Sequence, residues 1–401
     1  MLQMWEKWFR FYLGKAIING KLSVQFPSGE VVVFGKDNTE PIKLRVINEK
    51  ALKSLCLNPV LALGETYMDE GMTIEGDDLK GLGKLVFANI GDLQHSPVPR
   101  FINFFMKCIR TINQFNNQIR ARKNIQHHYD LTDELYELFL DKDRQYSCAY
   151  FTSQENSLEQ AQIDKKNHIA KKLLIEPGMD ILDIGSGWGG LGLTLAKDHA
   201  ARVKGVTLST EQHKISNRRA REEGLSDRVD FSLMDYRAVK DKFDRIVSVG
   251  MFEHVGVPHY REYFSSIRSL LKEDGVALLH TIGRSSPPAG TNAWLSKYIF
   301  PGGYVPALSE TMQAIEKEGL MVNDIEFLRL HYAETLAHWY MRFMSNIDRI
   351  RDIYDERFCR MWRYYLVMCE MSFRYGGLAV FQIQLSHKND IVPITRDYLY
   401  K

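Results

Sequence analysis

The run Ile181-Leu182-Asp183-Ile184-Gly185-Ser186-Gly187-Trp188-Gly189-Gly190 restricts the folds open to this chain more than any other. A short apolar stretch ends in an acidic residue and breaks into closely spaced glycines. It then continues as Leu191-Gly192-Leu193-Thr194-Leu195-Ala196, which has helical character. Glycine is needed where the backbone turns sharply and a Cβ would collide with a neighbour or a ligand. Strand, glycine turn and helix in that order open a parallel α/β unit, and the following residues repeat the rhythm. A helix is expected at 158–174 and a strand at 180–184. Further strands are expected at 203–208, 229–233, 243–249 and 276–282, with helices at 211–223 and 260–271. This alternation predicts a doubly wound parallel sheet of Rossmann-like α/β type. Loops rich in Pro and Gly follow at 285–290 and 300–303, then helical sequence over 333–375 and a last strand at 380–385. A helical lid insertion is therefore expected just before the final strand.

Residues 1–90 read differently. Two short strands, 21–26 and 31–34, flank Pro27-Ser28-Gly29-Glu30, the signature of a hairpin, and helices are expected at 49–57 and 79–88. The 401 residues suit two domains: a smaller N-terminal α+β domain with a basic linker helix at 1–123, and a catalytic domain at 124–401. Hydrophobic residues at 45% and charged residues at 25% are ordinary for a globular chain, and a net charge of +2 gives no argument for nucleic acid. Five cysteines (Cys56, Cys108, Cys148, Cys359 and Cys369) lack paired or metal-ligand spacing, which points to a reducing compartment with no metal. Glu6, Lys7, Arg10 and Lys15 interrupt the apolar residues at the N-terminus, unlike a signal peptide. No run approaches the roughly 18 apolar residues of a membrane span. A cytoplasmic protein is expected. Between Asp92 and Asp130 no acid occurs, while Arg100, Lys107, Arg110, Arg120, Arg122 and Lys123 interleave with apolar residues at near-helical spacing. Such a helix either packs its apolar stripe on a domain or lies on an anionic membrane surface.

A glycine-rich turn alone does not separate dinucleotides from other nucleoside cofactors. Here Asp183 precedes the glycines, and the spacing from Leu182 through Gly185, Gly187 and Gly189 fits S-adenosylmethionine-dependent methyltransferases. Asp235 follows the third strand, where such enzymes set an acid against the adenine amino group. The second strand ends in Thr207 instead of the usual ribose-binding acid, which leaves Gln212 as a candidate for the ribose. In open α/β sheets ligands lie beyond the carboxyl ends of the strands. Glu253 after the fourth strand and His280 at the end of the fifth should therefore converge over the transferable methyl group, where a carboxylate and an imidazole can orient or accept a proton.

The segments HHYDLTDELYELFLD, QYSCAYF, LDIGSGWGG, GVTLSTEQ, DRIVSVGMFEHVG, LLHTIG, HYAETLAHW and FQIQLSH occur in order from about residue 124 to the C-terminus. Together they resemble the cyclopropane-fatty-acid synthase family, which includes the mycolic acid cyclopropane synthases. The N-terminal part is similar, through GETYMDEG, to a domain of the bacterial phospholipid enzymes that the mycolate enzymes lack. The resemblance implies a class I S-adenosylmethionine-dependent methyltransferase acting on unsaturated phospholipid acyl chains at the membrane surface. Tyr146, Ser147, Gly185, Gly187, Trp188, Gly189, Thr207, Leu208, Gln212, Asp235 and Tyr236 would contact the cofactor together with Asp183. Cys148, Glu253, His280, Tyr332 and the backbone of Ile282 would hold a bicarbonate ion. Cys369 matches a cysteine once favoured as nucleophile, but its neighbours Met368 and Phe373 suggest that it lines the acyl pocket.

The reaction so implied is methyl transfer to a cis double bond, followed by loss of a proton from the new methyl group of a carbocation to the bicarbonate. Trp294, Tyr298, Phe300, Tyr304, Trp339, Tyr340 and Phe343 are available as aromatic walls, some of them as ordinary core. The resemblance also implies a homodimer and a peripheral position on the inner face of the cell membrane, favouring the membrane role for the basic helix. An amine N-methyltransferase, a lipid-binding protein with a relic site, and a family member making a methyl-branched or hydroxylated chain are the alternatives. Cys148 together with Tyr332 argues against the first.

Overall fold

The structure, a computed structural model, describes residues 1–93 and 132–400, with backbone only at 90–93. The basic helix of 100–123, the boundary expected at 123/124 and the His127-His128-Tyr129-Asp130 segment lie outside the described residues. Two compact units are present. The described part of the first comprises residues 1–93, 290–300 and 336–377; that of the second comprises 132–289, 301–335 and 378–400.

The first unit opens with helix α1 (Leu2–Ala16), followed by β1 (Leu22–Gln25), β2 (Val31–Phe34) and β3 (Ile42–Val46). Helices α2 (Glu49–Leu57) and α3 (Pro59–Met68), β4 (Met72–Ile74) and α4 (Leu79–Leu93) complete the N-terminal portion. The sheet order is β2-β1-β3-β4, and β1 and β2 form the expected antiparallel hairpin. Buried Glu6 of α1 accepts from the Ser28 N–H at 3.1 Å and the Ser28 hydroxyl at 3.0 Å, which pins the hairpin turn to the helix. Asn48 and Asn58 cap α2 and α3 by accepting from Ala51 N and Leu61 N, and Pro59 stands at the first position of α3, where its missing N–H costs nothing.

Asn89 in α4 is buried with its amide fully used. Oδ1 accepts from the N–H groups of Ile18 and Asn19 at 2.8 and 2.9 Å, and Nδ2 donates to the carbonyls of Asn19 and Leu85 at 2.9 and 2.8 Å. Asn89→Leu strands these backbone groups, and we expect it to cost about 3 kcal/mol in unfolding. A loss below about 0.5 kcal/mol in a denaturant titration would contradict the accounting.

The segments expected as a lid join this unit. The Gly64–Glu65 step is its packing platform: a Cβ on Gly64 would lie 2.4 Å from Trp294 Nε1, and Trp294 is buried with that nitrogen donating to Met68 Sδ. Glu65 accepts from Lys297 Nζ at 2.6 Å and the Tyr298 hydroxyl at 2.8 Å, and Phe300 packs edge-on against Tyr365. Of the expected aromatic walls, Trp294 is therefore core, while Tyr298 is tied to a surface carboxylate.

The second unit begins with α5 (Asp133–Phe139) and α6 (Leu158–Lys172). The glycine turn lies between β5 (Asp180–Ile184) and α7 (Gly190–Asp198). Then come β6 (Arg202–Thr207), α8 (Thr210–Glu222), β7 (Val229–Leu233), β8 (Phe243–Val249), α9 (Tyr260–Leu270) and β9 (Leu271–Arg284). After α10 (Ala293–Tyr298) of the first unit come α11 (Leu308–Glu318) and β10 (Met321–Leu328). Next are α12 (His331–Ser345), α13 (Ile347–Ile353), α14 (Glu356–Tyr375) and β11 (Leu378–Ser386). The seven-stranded order is β10-β11-β9-β8-β5-β6-β7, with β9 through β7 parallel and β11 antiparallel to both of its neighbours.

Successive strand residues supply two cores, as a doubly wound sheet requires. Leu182, Ile246 and Leu279 pack with Phe264 of α9 and Ile315 of α11. Ile181, Val247 and Leu278 pack with Ile169 of α6, Leu195 of α7 and Ala220 of α8. The strand order reverses between β5 and β8, so the crevice beyond their carboxyl ends is the place for a ligand.

Candidate active site

A pocket opens at that switch point. Eleven of the twelve cofactor residues expected from sequence line it: Tyr146, Ser147, Asp183, Gly185, Gly187, Trp188, Thr207, Leu208, Gln212, Asp235 and Tyr236. Gly189 does not line it, and works on the other side of the turn. It is the N-cap of α7 with φ +85°, and a Cβ there would stand 2.7 Å from Phe231 Cζ and 2.9 Å from Ser216 Cβ. The turn thus packs against β7 and α8 at a distance only glycine permits.

The nucleoside-facing groups are held in place by their neighbours. The Thr207 hydroxyl donates to Gln212 Oε1 at 3.0 Å, and Ser209 caps α8 by accepting from Gln212 N. Both oxygens of Asp235 are engaged by Arg237, Nε to Oδ1 at 2.8 Å and Nη2 to Oδ2 at 2.7 Å. Arg237 itself lines the pocket. Asp183 is buried, its Oδ2 has no hydrogen-bond partner, and burial pushes its carboxyl up to about 7. A buried orphan acceptor in a cleft is a costly group, and it fits a cationic or N–H-bearing ligand such as the methionine ammonium of S-adenosylmethionine.

The segment before the fold is fastened over the turn by a charged knot. Asp143 is paired with Lys166 at 2.6 Å and with Arg219, while Arg219 also donates to Trp188 O at 3.0 Å. Asp141 Oδ1 accepts from Gln145 N at 2.9 Å. Lys165 on α6 is fully buried and lines the pocket, its Nζ donating to Gln145 Oε1 at 2.6 Å and to Ser147 Oγ at 2.9 Å. Sequence reasoning missed this lysine together with Gln145, Met251, His254 and Arg237. One signal was available for Lys165: it occupies the buried stripe of α6 with Leu158, Ala161 and Ile169, where a cation has no ordinary reason to be.

None of the expected catalytic residues lines this pocket; Glu253, after β8, and His280 and Ile282, toward the end of β9, stand beside it. Pairing of β8 with β9 sets Val249 opposite His280, and Gly250 N donates to His280 O at 2.9 Å. Glu253 follows one turn later. Its Oε1 accepts from Ile282 N at 2.6 Å, and its buried Oε2 has no partner. Burial raises the Glu253 carboxyl to about 7, moderated by the Ile282 N–H. His280 is buried and receives a hydrogen bond from Gln382 Nε2 at Nδ1, 3.1 Å, leaving its proton on Nε2. Burial, reinforced by Lys165 and Lys172, lowers His280 to about 3, so the ring is neutral. The fully buried Cys148 has its thiol pushed far up and is no thiolate. Ala149 N donates to Thr335 Oγ1 at 3.0 Å, which brings Cys148 to the first turn of α12, where Tyr332 is also buried. Cys369 belongs to α14 in the first unit, and burial pushes its thiol up to about 12.

Comparison with known proteins places this arrangement. The model of the mycolic acid cyclopropane synthetase family matches residues 116–383, and a domain of unknown function (DUF7884) matches 12–95. The chain is 39% identical over 352 residues to the cyclopropane-fatty-acyl-phospholipid synthase of Escherichia coli, covering 87% of this chain and 89% of that protein. It is 37% identical over 339 residues to the tuberculostearic acid methyltransferase UfaA1 of Mycobacterium tuberculosis, covering 80% and 78%. Among solved structures, the mycolic acid cyclopropane synthase CmaA1 with S-adenosylhomocysteine and CTAB superposes with a TM-score of 0.62. It shares 32% identity and covers 66% of this chain and 97% of that one.

Proposed function

This chain belongs to the mycolic acid cyclopropane synthetase family and is an S-adenosylmethionine-dependent methyltransferase, and from that premise we propose that it adds a methylene unit across the cis double bond of an unsaturated acyl chain in a membrane phospholipid. The observation that carries the reading is the buried pair beside the cofactor pocket: Glu253, raised to about 7 with one buried oxygen unpartnered, and neutral His280, with its proton on Nε2. An isolated alkene has no proton to give up before attack, so a strong general base at the acceptor is unnecessary. What the reaction needs is a proton acceptor afterwards and the exclusion of water.

S-adenosylmethionine, when bound, supplies the electrophilic methyl group. One alkene carbon would take that methyl group as the sulfonium bond breaks, leaving the other carbon cationic. Loss of a proton from the added methyl group then closes the ring. Bicarbonate fits the protein groups as acceptor of that proton: Glu253 Oε2 is a buried acceptor for its O–H, and His280 Nε2–H is a donor for its oxygens. The Ile282 N–H is spent on Glu253 and so acts through that carboxylate. Cys148 and Tyr332 complete the cage. The Cys369 thiol is held protonated by burial, and Cys369→Ser is expected to retain at least about half of the activity, since a protonated thiol is a poor nucleophile.

The test is mass spectrometry of phospholipid acyl chains after incubation of the purified protein with vesicles and labelled S-adenosylmethionine. A gain of CH2 by an unsaturated chain supports the reading; label transfer to an amine with unchanged lipids would overturn it. The likeness to a tuberculostearic acid methyltransferase supports a second product, the methyl-branched chain, in which the added methyl group keeps its proton and the cation takes hydride from a separate reductant.

Such a substrate requires docking at a bilayer. Among the described residues no helix is long and apolar enough to cross a membrane. Helix α1 exposes Met4, Trp8 and Phe11 along one side, with Lys15 over the Phe11 ring at 4.4 Å. Aromatic residues beside lysine suit the headgroup boundary. Trp8→Glu with Phe11→Glu is expected to weaken binding to anionic vesicles about tenfold or more in a flotation assay. Reversal of Arg120, Arg122 and Lys123 to Glu tests the basic segment in the same assay, and unchanged binding in both sets would refute peripheral docking.

A further inference from the structure

Lys165 is a cation buried in the wrong company. Its ammonium has three N–H groups, of which two are given to the neutral acceptors Gln145 Oε1 and Ser147 Oγ, and among the described residues no carboxylate forms an ion pair with it. Asp141, Asp143 and Asp183 act on it only through space, so a fully buried cation whose direct partners are neutral gains from an anion in contact. The lysine lines the cofactor pocket, and Asp183, with its orphan oxygen, lines it as well and feels the Lys165 charge. A cation and an anionic acceptor on the wall of one pocket match the two charges of an α-amino acid. The hydrogen bond to Ser147 adds direction. Because Ser147 Oγ accepts from Lys165, its own O–H is turned away from the ammonium and is free to donate.

We propose that Lys165 is the residue that recognises the carboxylate of the cofactor's methionine moiety, both by its charge and by presenting the Ser147 hydroxyl as a donor. The proposal deepens the cofactor assignment of this pocket and rests on it. It predicts a discrimination that a purely structural lysine cannot produce. S-adenosylhomocysteine carries the amino-acid group, whereas 5′-methylthioadenosine shares the nucleoside and lacks it.

Titration calorimetry of the full chain with both compounds provides the test. In Lys165→Met the affinity for S-adenosylhomocysteine should fall about thirtyfold, the scale of a lost charge-assisted hydrogen bond, while that for methylthioadenosine stays within about twofold. Ser147→Ala retains the buried lysine and so guards against misfolding of the first variant; it should lose about fivefold for S-adenosylhomocysteine alone. Equal weakening of both ligands, or no change in either, would overturn the role of Lys165. A wild-type chain that binds methylthioadenosine as tightly as S-adenosylhomocysteine would do the same while leaving the nucleoside assignment intact. Wild-type failure to bind either compound would instead overturn the cofactor assignment, and this proposal with it.

Discussion

Glu253→Gln is expected to reduce turnover by about a thousandfold while leaving the affinity for S-adenosylhomocysteine within about twofold. The two readouts separate because Glu253 stands next to the cofactor pocket without lining it. Its Oε1 is anchored by the Ile282 N–H and its buried Oε2 has no hydrogen-bond partner, so the substitution removes the acceptor and keeps the shape. Methyl transfer from labelled cofactor and calorimetry decide the matter; turnover above about a tenth of wild type would remove Glu253 from the proton-accepting step.

The same variant should be more stable than wild type in alkaline solution. The ordinary carboxyl value of 4.5 is raised to about 7 in the folded chain by burial. Between those values the folded state holds a proton that the unfolded state has released, so stability falls as pH rises from 4.5 to 7 and the full penalty applies above 7. That penalty is on the order of 3 kcal/mol at pH 8 and vanishes below pH 4, where both states are protonated. Thermal unfolding should therefore show Glu253→Gln melting higher than wild type at pH 8, with the two converging toward pH 5. Asp183, also raised to about 7, slopes the same way and is present in both proteins, so it does not confuse the comparison.

The second large effect is expected at the glycine turn. Gly189→Ala combines two penalties: a left-handed φ of +85°, and a Cβ placed 2.7 Å from Phe231 Cζ and 2.9 Å from Ser216 Cβ. Strain of about 1–2 kcal/mol and overpacking of about 1–3 kcal/mol sum to about 4 kcal/mol. Gly178→Ala is the control, because its φ of +84° is equally left-handed while nothing lies within 4 Å of the added carbon. The control should lose only the strain component of about 1–2 kcal/mol. Equal losses in the two variants would mean that the contact with Phe231 has room to relax. Since Gly189 carries Gly185 and Gly187 in the same turn, its variant should also bind S-adenosylhomocysteine more weakly than the control does.

The inner parallel strands were legible because burial on both faces demands mostly apolar runs, and the edge strand β7 from its strict alternation of Val229, Phe231 and Leu233 with polar residues. Residues 180–184, 229–233 and 243–249 match β5, β7 and β8 end for end. The hairpin of β1 and β2 was legible from its turn chemistry. Strand β10 was not, for it lies at the sheet edge with half-buried Asn323 and Glu326 and a buried Asp324 among its apolar residues, so no apolar run announces it. Helix α1 was passed over because its charged residues were weighed only against a signal peptide; Glu6 is in fact buried and hydrogen-bonded to Ser28. Nor could the chain order reveal that 290–300 and 336–377 belong with the N-terminal sheet, since the Trp294 contact with Gly64 spans 230 residues.

By itself the sequence determined the sheet, the glycine turn and the nature of the methyl donor, because these rest on local requirements: apolar runs that must be buried, and backbone angles that only glycine adopts easily. Tertiary structure alone decided the state of the chemical groups. Glu253 acquires its raised pKa from the burial around it, against the lowering effect of the Ile282 N–H, and one of its oxygens is left without a partner. His280 takes its tautomer from Gln382 on a strand formed a hundred residues later, and Lys165 becomes a pocket residue only when α6 folds its polar end against the turn. Solvation and hydrogen-bond partners are properties of the packed molecule, and proton affinities follow from them.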